Sequence, residues 1–182
     1  MKLKALYERL YKAVFSVPLF SRLLKIPFVE KLLQYEVVSY LVFGVLTTVV
    51  NFLTYMALGI FAGENYEARV LFSIGSFNFR LILLMNGIAW FASVIFAFIT
   101  NKLFVFESTS WKGKVFLKEF ASFVGARIIS FLLFEELLFA LLVNAFSVND
   151  LISKLLIAVF VVIFNFVASK LVIFRSKGEK NA

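Results

Sequence analysis

Asn86-Gly87-Ile88-Ala89-Trp90-Phe91-Ala92-Ser93-Val94-Ile95-Phe96-Ala97-Phe98-Ile99-Thr100-Asn101-Lys102-Leu103-Phe104-Val105-Phe106 is an apolar run of 21 residues with a single charge, Lys102. At about 1.5 Å of rise per residue it reaches across a hydrocarbon core of about 30 Å. Three further stretches, about 39–61, 120–143 and 154–174, read the same way. The whole chain is 182 residues long and 62% hydrophobic, with 25 Phe. Soluble domains average roughly 45–50% apolar, so the excess needs lipid as a second apolar solvent. The expected fold is all-α integral membrane, with four transmembrane helices.

The distribution of charge orients these spans. The chain carries 19 Lys and Arg against 11 Asp and Glu, a formal +8. Lys2, Lys4, Arg9, Lys12, Arg22, Lys25 and Lys31 precede the first span; Lys112, Lys114 and Lys118 lie between the second and third; Arg175, Lys177 and Lys180 follow the fourth. The alternate loops hold only Arg69, Arg80 and Lys154, offset by Glu64, Glu67 and Asp150. The positive-inside rule then puts both termini and the central loop in the cytoplasm. The basic surplus suits anionic headgroups rather than nucleic acid, for which no soluble domain is present. The chain has no Cys and no His, which removes disulfides, thiolate metal sites, Cys nucleophiles and the usual general base. No Gly-rich phosphate loop occurs. A catalytic residue, a metal and a cofactor are therefore not expected.

Residues 1–36 form a separate cytoplasmic segment. Leu3, Leu6, Tyr7, Leu10, Tyr11, Val14 and Phe15 fall on one helical face, with Lys2, Lys4, Glu8, Arg9 and Lys12 on the other, the pattern of an amphipathic interfacial helix. It acts as an anchor or as a docking surface for a partner. Pro18 and Pro27 then break the chain into short pieces, and no cleavable signal peptide is evident. Residues 37–176 hold the four spans, and 177–182 form a basic cytoplasmic tail. In the longer outer loop, 62–85, apolar residues flank Gly75-Ser76, predicting a β-hairpin or a re-entrant piece in the outer leaflet.

The four spans form two repeats. Asn101-Lys102-Leu103-Phe104-Val105-Phe106 matches Ser169-Lys170-Leu171-Val172-Ile173-Phe174 at an offset of 68, and Phe43-Gly44 matches Val124-Gly125 at an offset of 81. Two hairpins of the same orientation follow, related by an axis along the membrane normal. Small-residue ridges run along Ala89, Ser93, Ala97 and Asn101 and along Ser122, Ala126 and Ser130, with a Gly59/Gly63 pair on the first span. These ridges mean close packing between helices or between subunits of a homo-oligomer.

Ionisable and amide residues inside the spans are the candidate functional groups, because a charge at a helix centre costs about 2.5–3.5 kcal/mol on the insertion scale. Lys102 and its repeat mate Lys170 either snorkel or serve a ligand. Arg127 lies about 10 Å inside its span. The acids weighed for it on its own helix, Glu135 and Glu136, are eight and nine residues away, too far for a direct pair. A guanidinium so placed suits a lipid phosphate; snorkelling or carbonyl contacts are the alternative. Glu135 and Glu136 either reach the outer interface and Lys154, or offer acceptors to sugar hydroxyls. Asn51, Asn86, Asn101 and Asn165 make interhelical hydrogen bonds by default; among them Asn101 adjoins Lys102.

Together these features resemble the GtrA-like family of small bacterial and archaeal membrane proteins. The family signature Phe-x-x-Asn-basic-x-x-x-Phe stands as Phe98-Ile99-Thr100-Asn101-Lys102-Leu103-Phe104-Val105-Phe106, and in altered form as Phe166-Val167-Ala168-Ser169-Lys170-Leu171-Val172-Ile173-Phe174, where Ser replaces Asn. The resemblance implies a flippase, without enzymatic activity, for polyprenyl-phosphate-linked monosaccharides such as undecaprenyl-phosphate sugars. Its place is the bacterial or archaeal cytoplasmic membrane, where it supplies glycosyltransferases that decorate O-antigen, teichoic acid or another surface polysaccharide. Under that implication Arg127, Lys102, Lys170 and Asn101 hold the lipid phosphate, while Glu135, Glu136, Asn51 and Asn165 line a path for the sugar. The alternative role is a non-transporting membrane anchor or accessory subunit of a polyprenyl-phosphate glycosyltransferase.

Overall fold

Leu3, Leu6 and Leu10 recur at helical spacing, and in the computed structural model they form an exposed edge of α1 (Lys2–Phe15). The structure describes residues 2–16, 27–108 and 110–174; Pro18 and the basic tail lie outside them. A second short helix, α2 (Pro27–Leu32), starts on Pro27 with Glu30 in its first turn. Proline suits the first helical position because the N–H it lacks has no intrahelical partner there.

Four helices among the described residues are long and apolar enough to cross a membrane: Tyr35–Ala62, Leu81–Val105, Gly113–Ala145 and Leu151–Ile173. The protein is an all-α membrane protein. The chain divides into two compact units, 1–105 and 106–182, each with two of these helices. The first pair is α3 (Tyr35–Ala62) and α4 (Leu81–Thr100), the latter extended by a π-helical turn over Asn101–Val105. The second pair is α5 (Gly113–Ser130), followed by π-helical segments Phe131–Leu138 and Leu141–Ala145, and α6 (Asp150–Ala168), followed by a π turn over Ser169–Ile173.

Two of the helices start earlier than the expected spans do. The second span begins at Leu81 rather than at residue 86, and the third at Gly113 rather than at 120. Leu81–Met85 are themselves apolar and extend the second run back to Arg80, whereas at the third span Lys114, Lys118 and Glu119 close the apolar window while the helix continues through them. At the start of α6 the Asn149 side chain accepts from the backbone N–H groups of Leu151 (3.0 Å) and Ile152 (3.4 Å), satisfying donors that the first turn leaves open.

Between α3 and α4 the loop forms an antiparallel β-hairpin, β1 (Val70–Ile74) and β2 (Phe77–Arg80). Gly75, at φ 59°, makes the two-residue turn that this connection favours. Ile74 pairs with Phe77, Ser73 with Asn78 and Phe72 with Phe79, whose rings stack at 4.8 Å. Of the two readings of this loop, the hairpin is the one found.

In the first unit, α3 and α4 pack along the predicted small-residue ridge. Ala89 has no exposed surface, and Met85, Ser93, Ala97, Asn101 and Val105 are buried with it at every fourth position. The opposite faces expose large apolar side chains, as lipid requires. The other ridges differ: on α5 the buried residues are Glu119, Phe123 and Ser130, with Ser122 and Ala126 half-buried. A Cβ at Gly59 would meet the Tyr66 side chain at 3.4–3.5 Å, and Gly63 ends α3 at φ 76°. The Gly59/Gly63 pair is therefore a helix terminus. Replacing Ala89 by Leu overfills the ridge; a destabilisation of about 1–3 kcal/mol is expected, read as a lower midpoint in denaturant unfolding of the purified protein.

Candidate functional site

The two copies of the signature share one backbone feature. In each, the α-helix gives way to a five-residue π turn at the repeat-matched position, Asn101–Val105 and Ser169–Ile173. The Phe174 N–H donates to the Ser169 carbonyl five residues earlier, at 2.9 Å. Such turns widen the helix, displace side chains from the α-helical register and occur frequently at functional sites.

In the first unit, the Asn101 amide nitrogen donates to the Ala97 carbonyl at 2.6 Å, while its side-chain oxygen is buried with no hydrogen-bond partner. Lys102 has 0% of its surface exposed, so in this state its ammonium is enclosed in the fold. Asn51 is half-buried on α3. The Tyr35 hydroxyl donates to the Phe104 carbonyl at 2.8 Å, and the Phe43 and Phe104 rings stack at 5.4 Å. The π turn is thereby tied to the start and the third turn of α3.

The second unit carries two cations on a single aromatic cluster. The Arg127 guanidinium lies over the Phe123 ring at 5.0 Å, and the Lys170 ammonium over the Phe166 ring at 5.8 Å. Between them the rings run Phe123 to Phe174 (6.0 Å), Phe174 to Phe106 (5.3 Å) and Phe106 to Phe166 (5.9 Å). Phe123 and Phe174 are buried, Arg127 is half-buried and Lys170 is exposed. A ring under a guanidinium stabilises its charge in a low dielectric and leaves the N–H edge open for a bidentate oxyanion. The arrangement can take an anion at the edge of an apolar wall, which is the chemistry of a phosphate joined to a hydrocarbon chain.

Behind Arg127 a polar chain connects the two helices. The Asn165 amide nitrogen donates to the Ser130 hydroxyl (3.1 Å), which donates to the Arg127 carbonyl (2.9 Å). The Asn165 side-chain oxygen is buried without a partner. Breaking this chain by Asn165→Leu is expected to cost about 1 kcal/mol of helix association, measured by denaturant unfolding in detergent.

Glu135 and Glu136 are both exposed on the π-helical part of the third span. Lys154, weighed as their partner, lies over the Phe139 ring at 5.9 Å. Glu119 was absent from the sequence-level candidates, because the apolar window opened one residue after it. It lies within α5, also eight residues from Arg127, and its buried carboxylate accepts from the Ser108 hydroxyl at 3.0 Å. Phe123 was missed as well. Its signal was present: a Phe stands four residues before each of Lys102, Arg127 and Lys170, the spacing at which helical side chains meet. Among the described residues no group of three or more acids is placed to hold a metal ion.

Residues 39–174 match the family model described as GtrA/DPMS, transmembrane domain. A cell wall teichoic acid glycosylation protein, GtcA, of Listeria monocytogenes serovar 1/2a is 32% identical over 145 residues, covering 79% of this chain and 87% of its own. An uncharacterized membrane protein of Bacillus subtilis strain 168, YwcD, is 31% identical over 141 residues, covering 78% of this chain and 98% of its own. The GtcA of Listeria innocua serovar 6a is 32% identical over 143 residues, covering 78% of this chain and 86% of its own. No solved structure matches the chain significantly.

Proposed function

The chain belongs to the GtrA/DPMS transmembrane-domain family, and from that premise we propose that it translocates a polyprenyl-phosphate-linked monosaccharide across the cytoplasmic membrane, with both termini cytoplasmic. It does no covalent chemistry on its cargo, and it supplies a glycosyltransferase that modifies a surface polymer. Teichoic acid is the polymer favoured by the names of the GtcA relatives. The observation that carries the reading is the pair of cations on one aromatic cluster. Arg127 and Lys170 bind the phosphate, and the Phe wall beside them accepts the first isoprene units. Asn165, with its unpartnered side-chain oxygen, accepts from sugar hydroxyls as the head group passes. Glu135 and Glu136 offer further acceptors along the exposed third span. In the first unit Asn51 adds a half-buried amide to the polar path, and Asn101 and Lys102 join the path only when their π turn opens, since Lys102 is enclosed here.

The test is reconstitution of the purified protein in liposomes with a labelled polyprenyl-phosphate sugar, scored by protection from a membrane-impermeant reagent. Protein-dependent redistribution is the expected result. No redistribution in well-oriented vesicles, with partner transferase activity still enhanced, would sink the flippase reading and leave the accessory-subunit role. That second role draws support from α1, whose exposed leucine edge suits attachment at the membrane surface.

A further inference from the structure

The segment before the family-matched residues builds a cleft of its own. Tyr7 and Tyr11 on α1 and Tyr35 at the start of α3 wall a depression of about 290 Å³. Tyr7 stands at 5.8 Å from Tyr11 and, edge-on, at 5.6 Å from Tyr35. The Tyr7 hydroxyl donates to the Leu33 carbonyl, and the Lys4 ammonium lies over the Tyr35 ring at 5.8 Å. These contacts seat α1 against the entry to the first span. Glu8, Lys12 and Glu30 complete the rim, and with Lys4 beside it two carboxylates face two ammoniums.

The helical wheel sets the depth of this cleft. At about 100° per residue, Leu3, Leu6 and Leu10 share one edge of α1, Tyr7 and Tyr11 the next, and Glu8 and Lys12 the one beyond. With the leucine edge in acyl chains, the tyrosines lie at the headgroup level and the charged rim faces water. The floor leads to the signature: the Tyr35 hydroxyl is bonded to the Phe104 carbonyl, inside the π turn that carries Asn101 and Lys102.

We propose that this cleft binds the monosaccharide head group of the lipid cargo at the membrane surface before translocation. Aromatic rings offer flat faces to the C–H side of a pyranose, and carboxylates accept from its hydroxyls. In this proposal the lipid phosphate binds at Arg127 and Lys170, and the cleft reads the sugar alone. Burial, with Tyr11 adding to it, raises the Tyr7 phenol above its ordinary range, and its one O–H is committed to the Leu33 carbonyl. The inference rests on the translocation reading and adds to it a place for sugar selectivity, outside residues 39–174.

The experiment measures binding of farnesyl-phosphate glucose, farnesyl-phosphate galactose and farnesyl-phosphate N-acetylglucosamine to the full chain in nanodiscs. Farnesyl methyl phosphate is the reference, a diester of the same charge without a sugar. The wild type is expected to prefer at least one sugar lipid over the reference. Tyr11→Leu and Glu30→Gln, on separate elements and away from the buried core, are each expected to reduce that preference about tenfold, with affinity for the reference unchanged. If the wild type shows no sugar preference, if both variants keep it, or if they weaken all four ligands equally, the cleft does not read the sugar. If the wild type binds none of the four, the translocation reading itself falls.

Discussion

Arg127→Ala is expected to abolish most translocation, slowing redistribution of the labelled lipid in liposomes about 10- to 100-fold. A hydrogen bond to a charged group contributes about 1.5–3 kcal/mol, and a factor of ten corresponds to about 1.4 kcal/mol. Arg127 supplies a planar fork held over Phe123 at 5.0 Å, so Arg127→Lys keeps the charge and loses the bidentate geometry. It is expected to recover only part of the activity. Glu135→Ala, on the exposed part of the third span, is the comparison, and its effect on binding of farnesyl methyl phosphate is expected to be smaller. Equal, intact binding in the Arg127 and Glu135 variants would remove Arg127 from the phosphate site.

The spans were legible because lipid imposes a length and a composition on any helix that crosses it. The ridge Ala89, Ser93, Ala97 and Asn101 was legible for a related reason: close backbone approach needs small residues at every fourth position, and all four are buried. The start of the third helix was not, since Lys114, Lys118 and Glu119 close the apolar window while the helix continues through them. The π turns were equally hidden, because i to i+5 bonding has no residue signature of its own. The repeat at an offset of 68 marked where they fall without saying what they are. Arg127 stood out by its depth. Its support did not: Phe123 looked like one more of 25 Phe, and only the spacing of four shared with Phe166 and Lys170 sets it apart.

Phe123 is accordingly the position where packing and charge can be separated. Its side chain is 1% exposed and touches both the Phe174 ring, at 6.0 Å, and the Arg127 guanidinium, at 5.0 Å. Phe→Ala in a soluble core costs about 3–5 kcal/mol. Lipid takes up part of that difference, because an apolar side chain gains little by moving from acyl chains to protein, and the loss of packing remains. Phe123→Ala is therefore expected to destabilise by about 2 kcal/mol, with the cavity term dominating, and to release Arg127. Phe123→Leu refills most of the volume but offers no π face. The cation–π term, about 0.5–2 kcal/mol, is then lost while the fold is largely kept. The expected result is near-normal unfolding in denaturant for Phe123→Leu, with an affinity for farnesyl methyl phosphate about 2- to 30-fold weaker. Normal affinity in a folded Phe123→Leu protein would mean that the ring only fills space, and that Arg127 is held by the turn Ser130 closes behind it. Weak affinity would show that the buried aromatic cluster sets the guanidinium's position, and through it the site.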